Sequence, residues 1–202
     1  MSSPIDFYFD FSSPYAYLAS ERIDSIAGRH GRKVVWRPWL MGAAMKITGS
    51  SPLVDRPMIN DYSRHDLERC ARLEGLPLQL PDPFPFAAIA PSRAVYWIEG
   101  EKDPAAAKTL AKALFHEAFG LGRSITDAQR VAAIAETAVG CNPDDLLAGI
   151  AEAGIKERLK EVTNGAIERG VFGSPFFLVD GEAFWGHDRL GHVDLWLERG
   201  GW

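Results

Sequence analysis

Phe9-Asp10-Phe11-Ser12-Ser13-Pro14-Tyr15-Ala16-Tyr17-Leu18 is the stretch from which the fold can be read. Before it, Ile5, Phe7, Phe9 and Phe11 alternate with other residues, the period of two that marks a strand. After it, Tyr15, Leu18, Ile23 and Ile26 recur at near-helical spacing and stop at Gly28 and Gly31. Ser13 stands where an N-cap belongs, and Pro14 fits the first helical turn, where its missing N–H costs nothing. The unit is therefore strand, tight turn, helix. Val34-Val35-Trp36-Arg37-Pro38-Trp39 reads as a second strand. Two strands joined by a helix in so short a span imply a right-handed parallel crossover.

From about Pro57 to Gly170 the pattern becomes helical, punctuated by Gly and Pro. Helices are expected over 58–73, 90–100, 104–119, 127–139, 143–153 and 155–169. Thr126-Asp127 and Asn142-Pro143 carry good N-cap chemistry and give the firmest starts. The segments 47–56 and 76–91, rich in Gly, Ser and Pro, read as long loops of the kind that often bind ligands. Strands return with Phe176-Phe177-Leu178-Val179 and Ala183-Phe184-Trp185, on either side of an Asp180-Gly181 hairpin turn. A last helix is expected over 188–197. The order β-α-β, helices, β-β-α is that of an α/β thioredoxin-like fold with a large inserted helical lobe. Residues 1–45 and 170–202 form one discontinuous lobe on this reading. Residues 46–169 form the other, their last helix packing back on the sheet.

Composition narrows the function classes. Of 202 residues, 22 are Lys or Arg and 27 are Asp or Glu, for a formal charge of -5 without long runs. No surface is advertised for nucleic acid or an anionic membrane, so an anionic ligand has to be held locally. The N-terminus lacks a basic stretch ahead of an apolar one, and no segment approaches the roughly 20 apolar residues of a membrane span. A cytoplasmic location is expected. Cys70 and Cys141 lie in unrelated contexts and make neither a CxxC motif nor a metal pair, so no metal is expected.

Two places carry chemistry. Ser13 reads first as a helix cap. The alternative is that its hydroxyl donates to a thiolate brought by a ligand, as helix N-termini stabilise cysteine thiolates. In Gly173-Ser174-Pro175, the proline opens a strand where it owes no ladder hydrogen bond. A cis bond there leaves the Ser174 main chain free to pair with an extended ligand.

FDFSSPYAYLA followed by GVFGSPFFLVDGEAFWGHDR resembles the 2-hydroxychromene-2-carboxylate isomerase family, itself similar to kappa-class glutathione transferases and DsbA-type oxidoreductases. The resemblance runs over nearly the whole chain. Where DsbA-type proteins have Cys-Pro-x-Cys, this chain has Ser13-Pro14-Tyr15-Ala16, so disulfide exchange by that route is excluded. The resemblance implies glutathione as cofactor, with Ser13 activating its sulfur and Ser174 beside Pro175 pairing with its cysteinyl part. It places Trp185, Gly186, His187 and Asp188 at the γ-glutamyl end, where Asp188 suits an α-ammonium; its plainer role is an N-cap. It implies reversible conversion of 2-hydroxychromene-2-carboxylate to trans-o-hydroxybenzylidenepyruvate in aromatic degradation, and a homodimer.

For the small aromatic hydroxy-acid substrate, Lys46 is the leading partner, placed after the second strand near a loop that can face Ser13; otherwise it is a solvated lysine. Phe86 offers an apolar contact, and Arg56, Arg93 and Tyr15 rank lower. Related isomerases tend to have an Asn in the loop after Lys46, which this chain lacks. A kappa-like transferase or peroxidase with another electrophile, and a non-catalytic DsbA-like peptide binder, are the other readings.

Overall fold

The computed structural model describes residues 3–202. Four strands, β1 (Ile5–Phe9), β2 (Val34–Pro38), β3 (Phe176–Val179) and β4 (Glu182–Trp185), form one sheet in the order β2-β1-β3-β4. β1 runs parallel to β2 and antiparallel to β3, and β3 and β4 make the hairpin. Its turn places Asp180 at φ 54° and Gly181 at φ 94°, the two positive φ values of a two-residue hairpin.

Between β1 and β2 the expected single helix is two, α1 (Pro14–Ser20) and α2 (Ile23–Arg29). The apolar spacing carries across the break at Glu21 and Arg22, which is why periodicity alone does not show it. A further helix, α3 (Met41–Thr48), fills residues for which no element was expected and takes in the first two residues of the 47–56 loop, with Lys46 in its last turn. Seven more follow: α4 (Ile59–Glu74), α5 (Ile89–Glu101), α6 (Pro104–Phe115), α7 (Ala128–Val139), α8 (Pro143–Ala151), α9 (Ala153–Glu168) and α10 (Leu190–Arg199). The expected helix 104–119 ends as α at Phe115 and continues as a π turn over His116–Gly120. A 3-10 turn, His187–Arg189, leads into α10.

The main core fills one sheet face. Phe7 stacks on Phe177 at 5.2 Å and meets Trp36 edge-on, while Phe9 packs against Phe11 and Phe115. Offset and edge-to-face rings of this kind add to plain area burial. On the other face, Tyr8, Trp39, Phe176 and Leu178 pack against Ala44 of α3 and Ala166 of α9. Asp6 shares that second face. It accepts from Arg37 and Arg169, each at 2.7 Å, which compensates a carboxylate in a strand core.

Candidate active site

β1, an interior strand, delivers a short loop and α1 at its C-terminal end. Ser13 is extended (φ -99°, ψ 110°) and only 5% exposed. Its Oγ accepts from Ala16 N–H at 3.2 Å, so it is the cap that its position implies. The same Oγ also donates to the Ser174 carbonyl at 2.9 Å. With only seven residues, α1 contributes little dipole, which leaves the hydroxyl itself as the donor that matters.

The second loop meets the first there. The Ser174–Pro175 peptide bond is cis, as are Asp82–Pro83 and Phe84–Pro85. Ser174 Oγ accepts from Asp10 N–H at 2.8 Å, and among the described residues Ser174 N–H has no acceptor. The Pro175 carbonyl takes Gly186 N–H at 3.0 Å, which pins the turn after β4 to the same loop. Gly186 has φ 109°, and a side chain there would run into the Asp188 carboxylate.

Trp185 is 55% exposed and lies edge-on to Phe172 at 4.8 Å, over the bare backbone of Gly173. His187 stacks on Tyr15, and the Tyr15 hydroxyl donates to the Asp66 carboxylate and the Ser63 carbonyl, both at 3.2 Å. Burial lowers the His187 pKa from its usual value and raises those of Tyr15 and Cys70. Asp188 is open to solvent, with Arg189 as its ion-pair neighbour at 3.6 Å.

Ser13, Ser174, Pro175 and the 185–188 run thus converge. Lys46, Arg56 and Phe86 share no hydrogen bond or ring contact with them. Lys46 is exposed, Arg56 Nε donates to Ser51 Oγ at 3.3 Å within its own loop, and Phe86 packs on Phe119 at 6.2 Å. Arg93 Nε and Trp39 Nε1 are buried without an acceptor among the described residues. Sequence reasoning passed over Asp66 and Asp10. Asp66 joins the site only through folding, whereas Asp10 lies inside the deciding motif and could have been noticed as a carboxylate at a strand end.

Residues 4–196 match the model of the DSBA-like thioredoxin domain. The chain is 31% identical to a 2-hydroxychromene-2-carboxylate isomerase of Sphingobium xenophagum, over 98% of this chain and 99% of that one. It belongs to the family of 2-hydroxychromene-2-carboxylate isomerases. The solved structure of such an isomerase superposes with a TM-score of 0.86 at 28% identity, covering 98% of this chain and 95% of that one. A kappa 2 glutathione transferase of Caenorhabditis elegans is 26% identical over 94% of this chain and 89% of its own. Membership in the isomerase family makes the chain an enzyme of that class. Among the described residues no group of His, Cys, Asp and Glu is arranged to hold a metal, and no helix is long and apolar enough to cross a membrane.

Proposed function

We propose that this chain is a glutathione-dependent isomerase that interconverts 2-hydroxychromene-2-carboxylate and trans-o-hydroxybenzylidenepyruvate. The observation that carries the reading is the Ser13 hydroxyl at 2.9 Å from the Ser174 carbonyl, in a loop pair stripped of both redox sulfurs. Ser13 has a hydroxyl hydrogen to give and Ser174 a main-chain N–H without acceptor, a set that suits a tripeptide thiol lying along the Pro175 strand. When bound, glutathione supplies a thiolate that adds to an unsaturated carbon and leaves again, freeing rotation about the bond between.

The protein's own groups hold that thiol in place. Ser13 turns its hydroxyl from the Ser174 carbonyl to the sulfur and stabilises the thiolate. Ser174 and Pro175 align the cysteinyl main chain. Trp185, Gly186 and His187 wall the γ-glutamyl end, and the open Asp188 carboxylate takes the α-ammonium. Lys46, Arg56 and Phe86 are assigned to the aromatic hydroxy acid, with Lys46 answering its carboxylate. Lys46 is exposed on the last turn of α3 and free to swing. The lobes 1–45 with 170–202 and 46–169, a cytoplasmic location and a homodimer belong to the same reading.

The test follows the absorbance of 2-hydroxychromene-2-carboxylate with and without glutathione, for wild type and Ser13→Ala. Conversion that needs glutathione and drops at least a hundredfold in the variant is expected, on the scale of removing one donor to a developing charge. Conversion without glutathione would overturn the reading. The similarity to kappa transferases favours one alternative, the same thiol site with another electrophile. Glutathione binding together with turnover of a halogenated aromatic, but none of the chromene, would select it.

A further inference from the structure

Asp10 directly follows β1, three residues before Ser13, and is only 5% exposed. Its carbonyl accepts Ser13 N–H at 2.9 Å and its own N–H donates to Ser174 Oγ at 2.8 Å. Oδ1 accepts both Ser12 N–H and the Ser12 hydroxyl at 2.8 Å, and Oδ2 accepts Met41 N–H at 2.8 Å. Met41 is the first residue of α3, whose Leu40 cap offers no side-chain acceptor, so Asp10 supplies the missing cap from the loop after β1. One residue therefore touches the Ser13 loop, the Ser174 loop and the start of the Lys46 helix.

A carboxylate in the interior is costly, and burial pushes the Asp10 pKa up while its Ser12 and Met41 donors pull it down. A turn at a strand end and a helix start are both made routinely without one, with Asn or Ser at the cap. An amide cannot do what Asp10 does here. It has one acceptor oxygen, and its NH2 would face either the Ser12 or the Met41 donor.

We propose that Asp10 is the positioning residue of this site. Its carboxylate sets the Ser13 hydroxyl against the Ser174 main chain and locks the Lys46 helix to both. The proposal rests on the reading that Ser13 stabilises the glutathione thiolate. Two effects of losing the carboxylate have opposite signs at that sulfur. Removing a nearby negative charge lowers the bound thiol pKa, whereas misplacing Ser13 raises it. The three donors and the α3 N-terminus already offset the charge, so misplacement dominates.

The experiment measures glutathione affinity by calorimetry and the bound thiol pKa by ultraviolet thiolate absorbance, for wild type, Ser13→Ala, Asp10→Asn and the double variant. Asp10→Asn is expected to raise the bound thiol pKa by about one unit, tenfold less thiolate at fixed pH. The double variant should match Ser13→Ala alone, since Asp10 acts through Ser13. A thiol pKa that is unchanged or lowered in Asp10→Asn, or effects that add in the double variant, would overturn the proposal while leaving the glutathione reading intact. Wild type that binds no glutathione overturns that reading first, and this one with it. Ser12→Ala, which removes one Asp10 donor at a half-buried position, should shift the pKa in the same direction by less, and answers the question if Asp10→Asn does not fold. No shift in Ser12→Ala then counts against the proposal.

Discussion

The imidazole of His187 lies on the ring of Tyr15, centroids 5.1 Å apart and planes 23° from parallel. The contact joins the turn before α10 to α1, and Tyr15 in turn reaches Asp66 on α4. Three elements distant in sequence are thus fastened at one end of the candidate site.

That stack makes stability depend on pH in a definite direction. Burial holds the His187 pKa below its usual 6.5 in the folded protein, so the folded state resists a proton that the unfolded chain accepts. Above about pH 6.5 both states are neutral there and nothing changes. As pH falls through that value the unfolded state gains, and Tm should drop. Asp180 and Asp194, whose pKa values their arginine and histidine partners lower, lose their contributions only at pH values below the usual carboxylate range. Melting curves between about pH 7.5 and 5.5 should therefore show a decline that His187→Gln lessens; an unchanged slope in the variant would remove His187 as its source.

Gly173 and Gly149 face the same hazard with different consequences. A Cβ at either would overlap an indole, that of Trp185 or that of Trp97. Trp185 is 55% exposed, so Gly173→Ala can swing it into solvent at a cost within about 0.5 kcal/mol. Glutathione affinity should nevertheless fall, because the wall of the γ-glutamyl end moves. Gly149 is buried in α8 against α5. There, overpacking of about 1–3 kcal/mol exceeds the gain of up to about 1 kcal/mol from replacing a helical glycine. Gly149→Ala should lower Tm and leave glutathione affinity unchanged, a contrast that calorimetry and thermal melts read directly.

How much of this was legible in the chain depends on the range of the interactions. β1, the Ser13 cap and the Asp180–Gly181 hairpin follow from period-two alternation and local turn chemistry, and they stand where expected. The α3 helix escaped because Met41-Gly42-Ala43-Ala44-Met45 follows a strand directly and has no side-chain cap of its own. Its cap, Asp10, comes from the loop after β1, so the helix is specified by tertiary structure. The break between α1 and α2 is invisible because the apolar spacing runs through it. Within the site, Ser13 and Ser174 were legible as types, but their contact, the Tyr15–His187 stack and the entry of Asp66 pair residues far apart in sequence, which one sequence does not disclose.

The aromatic seam of the sheet sets the stability scale. Phe7 is fully buried between Phe177, Phe9 and Trp36. Phe7→Ala removes a ring from the centre of β1 and should cost about 3–5 kcal/mol, seen as a large drop in the denaturant midpoint. Phe172→Ala, at a ring 44% exposed, should cost far less. Equal losses would mean that the core does not centre on β1.

Restoring one sulfur separates thiol binding from redox chemistry. Ser13→Cys places a thiol beside the position proposed for the glutathione sulfur, while Ala16, fully buried, leaves no second cysteine to resolve a disulfide. With oxidised glutathione, the thiolate introduced by Ser13→Cys attacks one sulfur, a mixed disulfide forms, and one molecule of reduced glutathione leaves. With nothing to resolve it, the adduct should persist and block isomerisation until an added thiol removes it. Burial raises the thiol pKa values of Cys70 and Cys141, so both should react far more slowly. Mass spectrometry of peptides from treated protein should find the glutathionyl group on residue 13 in the variant and little in wild type. An adduct spread evenly over Cys70 and Cys141 would show that residue 13 has no special access to glutathione, and the assignment of Ser13 would fail on binding before any activity was measured.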